Sequence, residues 1–295
     1  MHLGPSHVVE GVDDAIYLVI DGGLGDCLLA TPAIESLKRN NPHKALNVAH
    51  IGSIYADILR GNPFIDRLEH YDGFEALSKS IAWLRPTYSL LLPSITRKDL
   101  ASKIICDCLQ TPFYGDRLAI YLTEEEVEFG RRELERLRES NNLSGIKGWV
   151  GICTTNNSSL NRDWGSSNWE ALVSYFKDFG FIHLGCKSLH SVSGAIDVSY
   201  LGLRQQISVL NSCKGFVGLD SFFAHCTSAL GVRGVVLFGD STPTVWGHYN
   251  NINIYKALGC SPCIDVLPFN HCPYGTPCVK AIGSDEVISA LKSLI

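Results

Sequence analysis

A strand-like apolar run from Ala15 to Asp21 breaks into Gly22-Gly23-Leu24-Gly25-Asp26 and resumes as an apolar segment at Cys27. Three glycines let the backbone turn sharply and approach a ligand closely. The turn delivers one carboxylate, Asp26, to a strand-to-helix junction, where open α/β sheets carry their chemistry. The same alternation continues, with strand patterns over 46–51 and 66–71 and helix patterns over 32–39 and 54–60. A helix around 74–84, a strand over 88–92 and a helix over 98–109 follow. Strands at that rhythm with helices between them predict a parallel sheet. Pro32 lies well after the glycine turn, so the helix following Asp26 begins late or kinks there.

At 295 residues the chain has room for two domains with separate cores. Thr123 followed by Glu124, Glu125 and Glu126 reads as a capping box opening a charged helix to about Ser140. The polar stretch 141–145 behind it is the linker candidate, giving domains 1–142 and 143–295. Strand patterns return over 149–154, 181–185, 215–219 and 232–238, with helix patterns over 168–179, 203–210 and 222–230. The expected fold is α/β, two Rossmann-like halves with a ligand cleft between them.

The formal charge of −5 supplies no basic surface for nucleic acid, which is therefore excluded as a partner. No apolar run approaches the roughly 18 residues of a membrane span. Met1–Asp14 is polar and does not resemble a secretion signal. The expected location is the cytoplasm, with work at the inner membrane surface as an option. Eleven cysteines in such a compartment are not expected to pair. Four of them, Cys260, Cys263, Cys272 and Cys278, have the spacing C-x2-C-x8-C-x5-C in a loop over 260–278. They suit a tetrahedral thiolate site of structural kind, with His271 as a substitute ligand; free thiols or a disulfide pair are the alternatives.

Three polar segments follow strands of the second half. After 215–219 come Asp220, Ser221 and a helix whose first N–H groups suit an anionic phosphate; the plainer reading is that Asp220 or Ser221 caps that helix. Thr154-Thr155 opens a loop of hydroxyl and amide donors running to Arg162 and Trp164, and an Arg there can clamp phosphate oxygens or simply be solvated. Phe238-Gly239-Asp240-Ser241-Thr242-Pro243 offers Ser241 and Thr242 as donors and Pro243 as a first helical residue. Trp246 and His248 read as packing residues.

Taken in order, these segments resemble glycosyltransferase family 9, the heptosyltransferases of lipopolysaccharide assembly and their relatives. They are Gly22–Asp26 with Ala30-Thr31-Pro32-Ala33-Ile34, Asn161-Arg162-Asp163-Trp164 with Trp169, Gly218–His225, Phe238–Pro243 and the cysteine-rich tail. The resemblance implies a GT-B fold, two Rossmann-like domains with parallel sheets facing across a cleft. It implies that 1–142 binds the acceptor and 143–295 a nucleotide-sugar donor, with a heptose from ADP-heptose as the expected sugar. Transfer would be inverting and would use no catalytic metal, with Asp26 as general base. Arg162 falls where the family has a Lys or Arg facing the donor phosphates. Asp220, Ser221 and Phe222 fall on its Asp-Thr-Gly donor stretch, a departure that brings bulk at Phe222. Gly23, Gly25, Thr154, Thr155 and His225 complete the implied donor set. The acceptor would be a saccharide or lipid-linked hydroxyl. A branch that glycosylates autotransporter proteins carries a cysteine-bound iron near its C-terminus, which makes iron as well as zinc the expected structural metal and a protein Ser or Thr the alternative acceptor.

Two rivals stand beside this reading. One is a nucleotide-sugar-binding scaffold without catalysis, supported by an acceptor half that reads as shortened. The other is a dinucleotide oxidoreductase, disfavoured because Gly22, Gly23 and Gly25 do not form G-x-G-x-x-G and no acidic residue ends the second strand at Ile51.

Overall fold

The computed structural model describes residues 15–20, 22–50, 52–70, 98–155, 159–186, 191–264 and 272–295. The expected helix over 74–84, the expected strand over 88–92 and His271 lie outside the described residues. The chain divides into two compact units, 1–92 with 99–121, and 93–98 with 122–295.

In the first unit β1 (Ala15–Ile20), β2 (Ala45–His50) and β3 (Arg67–His70) form a parallel sheet in that order, with Ile20 beside His50 and His50 beside His70. Leu18 and Val48 are fully buried, as in a sheet covered on both faces. The covering helices are α1 (Leu24–Leu29), α2 (Thr31–Asn40), α3 (Ser53–Leu59) and α4 (Ala101–Cys108). The helical segment after the glycine turn is thus two helices, split at Ala30. Pro32 sits in the first turn of α2, where a missing N–H costs nothing, and the Thr31 hydroxyl donates to Leu28 O at 2.7 Å across the break.

In the second unit six parallel strands run in the order β6-β5-β4-β7-β8-β9. They are β4 (Trp149–Cys153), β5 (Gly180–His183), β6 (Ala195–Asp197), β7 (Gly215–Leu219), β8 (Gly234–Phe238) and β9 (Ile252–Tyr255). Helices α5 (Glu124–Ser140), α6 (Ser166–Tyr175), α7 (Leu203–Asn211), α8 (Phe222–Leu230), α9 (Pro243–Trp246), α10 (Pro277–Lys280) and α11 (Ser284–Lys292) complete it. Val150, Ile152, Val217, Leu219, Val235 and Leu237 from the central strands pack with Trp164, Trp169, Leu172, Val287 and Leu291 into one core. Strand order reverses between β4 and β7, and a doubly wound sheet opens its binding crevice at the carboxyl ends of such a pair.

The charged helix α5, placed in 1–142 by the sequence reading, lies in the second unit. Gly130 explains the close approach: a Cβ there would overlap the main-chain oxygen of Ser208 on α7. Glu126 has two tasks. Its Oε2 accepts from Thr123 N at 2.9 Å to complete the capping box, and its carboxylate pairs with the Arg204 guanidinium. Among the described residues no helix is long and apolar enough to cross a membrane.

Candidate functional site

Four neighbouring strands of the second unit, β5, β4, β7 and β8, end in His183, Thr154-Thr155, Asp220-Ser221 and Gly239-Asp240. The sheet register thus brings together segments separated by up to 86 positions of sequence, counting from Thr154 to Asp240. Thr154 Oγ1 and His183 Nε2 share a hydrogen bond of 2.7 Å, and burial lowers the His183 pKa so that the ring is neutral.

Ser221 is the N-cap residue of α8, but its side chain makes no capping bond; its hydroxyl donates to Cys153 Sγ at 3.7 Å. Asp220 does not cap either. Its Oδ2 accepts from Ser241 Oγ at 2.6 Å and lies 3.1 Å from Arg162 Nη1. The plain capping reading therefore does not hold. The N-terminal amides of α8 have no side-chain cap and carry the positive end of the helix dipole, which is what an anion requires. Phe222 is half-buried at this end, its ring edge-on to Phe223 at 5.3 Å.

Arg162 departs from expectation. It is 5% exposed, at the end of a 3-10 turn over Leu160–Arg162, and points inward. Its Nε donates to Asp240 Oδ1 at 2.5 Å, and its Nη1 donates to the main-chain oxygen of Asp220. A guanidinium so engaged is an internal counter-ion rather than an open phosphate clamp, because pairing repays the cost of burying it. One cation faces two carboxylates here. Burial holds the Asp220 carboxyl above its usual range despite Arg162, whose own pKa is raised by Asp220 and Asp240 against the effect of burial. His225, on α8, is pushed down to about 3 by burial and then by Arg162. Its Nδ1 is 2.8 Å from His248 Nε2, so both are interior residues.

In the first unit the Gly22–Asp26 turn ends in α1, with Asp26 at its third residue. Asp26 Oδ2 accepts from Gly23 N at 2.6 Å, folding the half-buried carboxylate back over the turn. Gly22 has φ +109°, and a Cβ there would lie 2.6 Å from Asp26 Oδ2. Glycine is required twice over, by the dihedral and by the side chain above it.

The family model for glycosyltransferase family 9 (heptosyltransferase) matches residues 114–270, more than half of the chain. The chain belongs to glycosyltransferase family 9. Three solved structures share its fold. A family 9 glycosyltransferase from Veillonella parvula is 16% identical, with 96% of this chain and 97% of that one covered at a TM-score of 0.72. The ADP-heptose lipopolysaccharide heptosyltransferase II of E. coli is 14% identical, with 95% and 98% covered at 0.69. The iron-containing dodecameric glycosyltransferase TibC of enterotoxigenic E. coli is 17% identical, with 97% and 77% covered at 0.72. No curated protein sequence matches. The parallel sheets are those of the GT-B transferases of this family.

The family 9 chain also keeps its four clustered cysteines near one another. Cys263 and Cys278 are buried; the Cys263 thiol is pushed up to about 11 by burial, then by Asp240 and the Cys278, Cys272 and Cys260 thiols. Thr276 N donates to Cys272 Sγ at 3.3 Å. Four thiols and an N–H directed at sulfur suit a soft metal in their chemistry. Among the described residues, however, no three His, Cys, Asp or Glu side chains are gathered closely enough to hold an ion.

Sequence reasoning missed His183 at this strand-end edge, and it placed Ser159 and Asp240 in polar segments without giving either a role of its own. Asp240 carried a signal of the same kind as Asp220, a carboxylate just beyond an apolar strand, whereas His183 lies within a strand and looks like a core residue.

Proposed function

We propose that this family 9 member is an inverting transferase moving a heptose from ADP-heptose to an acceptor hydroxyl, with the acceptor taken by the first unit and the donor by the second. One observation carries the donor half: an uncapped helix N-terminus at the strand-order reversal, flanked by Thr154 and Thr155. Family membership and the ADP-heptose named for two of the solved structures support the choice of donor.

In this reading the acceptor oxygen attacks the anomeric carbon from the face opposite the diphosphate. As the new C–O bond forms, the bond to the phosphate oxygen breaks and its electron pair leaves with ADP. Asp26 takes the proton from the acceptor hydroxyl, and the Gly23 amide fixes which carboxylate oxygen faces the turn. Charge gathers on the leaving diphosphate, and the amides following Ser221 stabilise it more in the transition state than in the ground state. Arg162 acts from behind, fixing the Asp220 carbonyl at the entry to α8. Gly23 and Gly25 lie at the Asp26 turn and Phe222 at the first turn of α8, while His225 packs behind that helix against His248.

Cys260, Cys263, Cys272 and Cys278 are proposed to hold a structural iron or zinc, with no part in the transfer. TibC, similar in fold and iron-containing, supports this. The alternative acceptor is a protein Ser or Thr hydroxyl, as the resemblance to the autotransporter-glycosylating branch implies. Elemental analysis of purified protein should return about one metal per chain; none would refute the metal reading. The function itself is tested by incubating the protein with ADP-heptose and candidate acceptors. Release of ADP coupled to a heptosylated product is the expected result, and ADP-heptose binding without turnover on any acceptor would instead establish a scaffold.

A further inference from the structure

Asp240 is 1% exposed, and its described hydrogen bonds tie together two distant segments, 159–162 and 263–264. Its carboxylate accepts from Ser159 Oγ at 2.5 Å and from Arg162 Nε at 2.5 Å. Its main-chain oxygen accepts from Cys263 N at 2.7 Å and Ile264 N at 3.0 Å, and the preceding carbonyl, of Gly239, accepts from Ser261 Oγ at 2.5 Å. On the other side, Arg162 donates to the Asp220 carbonyl, and Ser241, the next residue along, donates to the Asp220 carboxylate.

We propose that Asp240 is a positioning residue through which the cysteine loop sets the geometry of the donor-binding end of α8. The inference rests on the donor reading given above. Two N–H groups of the loop use both lone pairs of the Asp240 carbonyl, so a shift of the loop turns the peptide that carries the carboxylate. Arg162 is buried and must follow its partner, because an unpaired guanidinium there is far costlier than a small movement. The Asp220 carbonyl belongs to the peptide that opens α8, so the displacement arrives at the N-terminal amides. The side-chain bonds joining Ser159, Arg162, Asp220, Asp240 and Ser241 are buried, which makes this part of the chain stiff. The influence of the loop runs through the main chain of 261–264.

A double-mutant cycle read by calorimetric titration with ADP tests this, using the full chain below its melting temperature. Cys260→Ser perturbs the loop, whereas Asp240→Asn keeps an acceptor for Arg162 Nε and removes the charge. Each single change is expected to weaken ADP binding about tenfold, and the double variant to be no weaker than Asp240→Asn alone. A merely structural Asp240 would lower the melting temperature and leave ADP affinity unchanged, or would lose affinity additively with Cys260→Ser; either result overturns the proposal. If Asp240→Asn does not fold, Ser261→Ala replaces it. That change removes the bond to Gly239, should cost a few-fold in ADP affinity, and should cost nothing further in the Cys260→Ser background; an additive loss overturns the proposal. Failure of the wild-type protein to bind ADP would instead defeat the donor reading, and this inference with it.

Discussion

Helices α1 and α8 each begin at the carboxyl end of a parallel strand, and each has an aspartate near its first turn, yet their N-termini are opposites. At α1 the carboxylate of Asp26 returns over the turn and accepts from Gly23 N, so that end is occupied by negative charge. At α8 the carboxylate of Asp220 is turned inward to Ser241 and Arg162, and Ser221 bonds to Cys153 sulfur rather than capping the helix. One end has its carboxylate folded back over the turn; at the other the carboxylate is drawn away into the interior. In the proposed function the same strand-to-helix junction thus serves two chemistries, decided by where one side chain finds its partner.

The sharpest test of the first end is Asp26→Asn, which keeps an oxygen for Gly23 N and removes the basicity. Transfer from ADP-heptose should fall by about 10²- to 10⁴-fold with donor affinity unchanged in a calorimetric titration. Full activity would break the contrast between the two ends. At the second end Arg162→Ala leaves two buried carboxylates without their cation. It should cost about 3–5 kcal/mol in urea unfolding, and a loss below about 1 kcal/mol would mean the inward ion pair is not formed. Gly22→Ala forces a Cβ onto the Asp26 carboxylate at a positive φ, and should destabilise by roughly 1–3 kcal/mol while lowering turnover. Equal activity and stability would show that the turn is not held as described.

The smallest effect is on pH dependence. His225 is neutral when folded, with its pKa depressed from 6.5 to about 3, so only the unfolded chain takes up its proton as pH falls below 6.5. Its contribution is intact above that value and is lost on acidification, by about 1 kcal/mol between pH 7 and 5.5. His225→Asn should flatten that part of the melting-temperature profile. An unchanged slope would place a proton on the buried His225–His248 pair.

The parallel sheets, the breaks between elements and the Asp26 turn were legible because each rests on local chemistry: apolar runs, glycines and a capping box. Pro32 marked a real discontinuity, and Thr123–Glu126 opened a helix where expected. What local pattern does not carry is the partner of a side chain. Helix α5 has its cap and its charges in sequence, but the reason it belongs to the second unit is the missing Cβ of Gly130 against α7. Arg162 resembles a phosphate clamp in sequence because nothing nearby reveals Asp240, 78 positions away and joined to it through the turn beyond β8. The short elements β6, β9 and α10 escaped notice for a related reason: segments of three or four residues owe their form to neighbours rather than to periodicity.

The most direct test of the account is a crystal structure of the protein with ADP. The diphosphate is predicted to sit at the start of α8, with phosphate oxygens about 3 Å from main-chain nitrogens of the first turn after Ser221 and with Arg162 still paired to Asp240. A diphosphate bound away from that helix end, or one that draws Arg162 out of its pair to clamp it, would contradict the account.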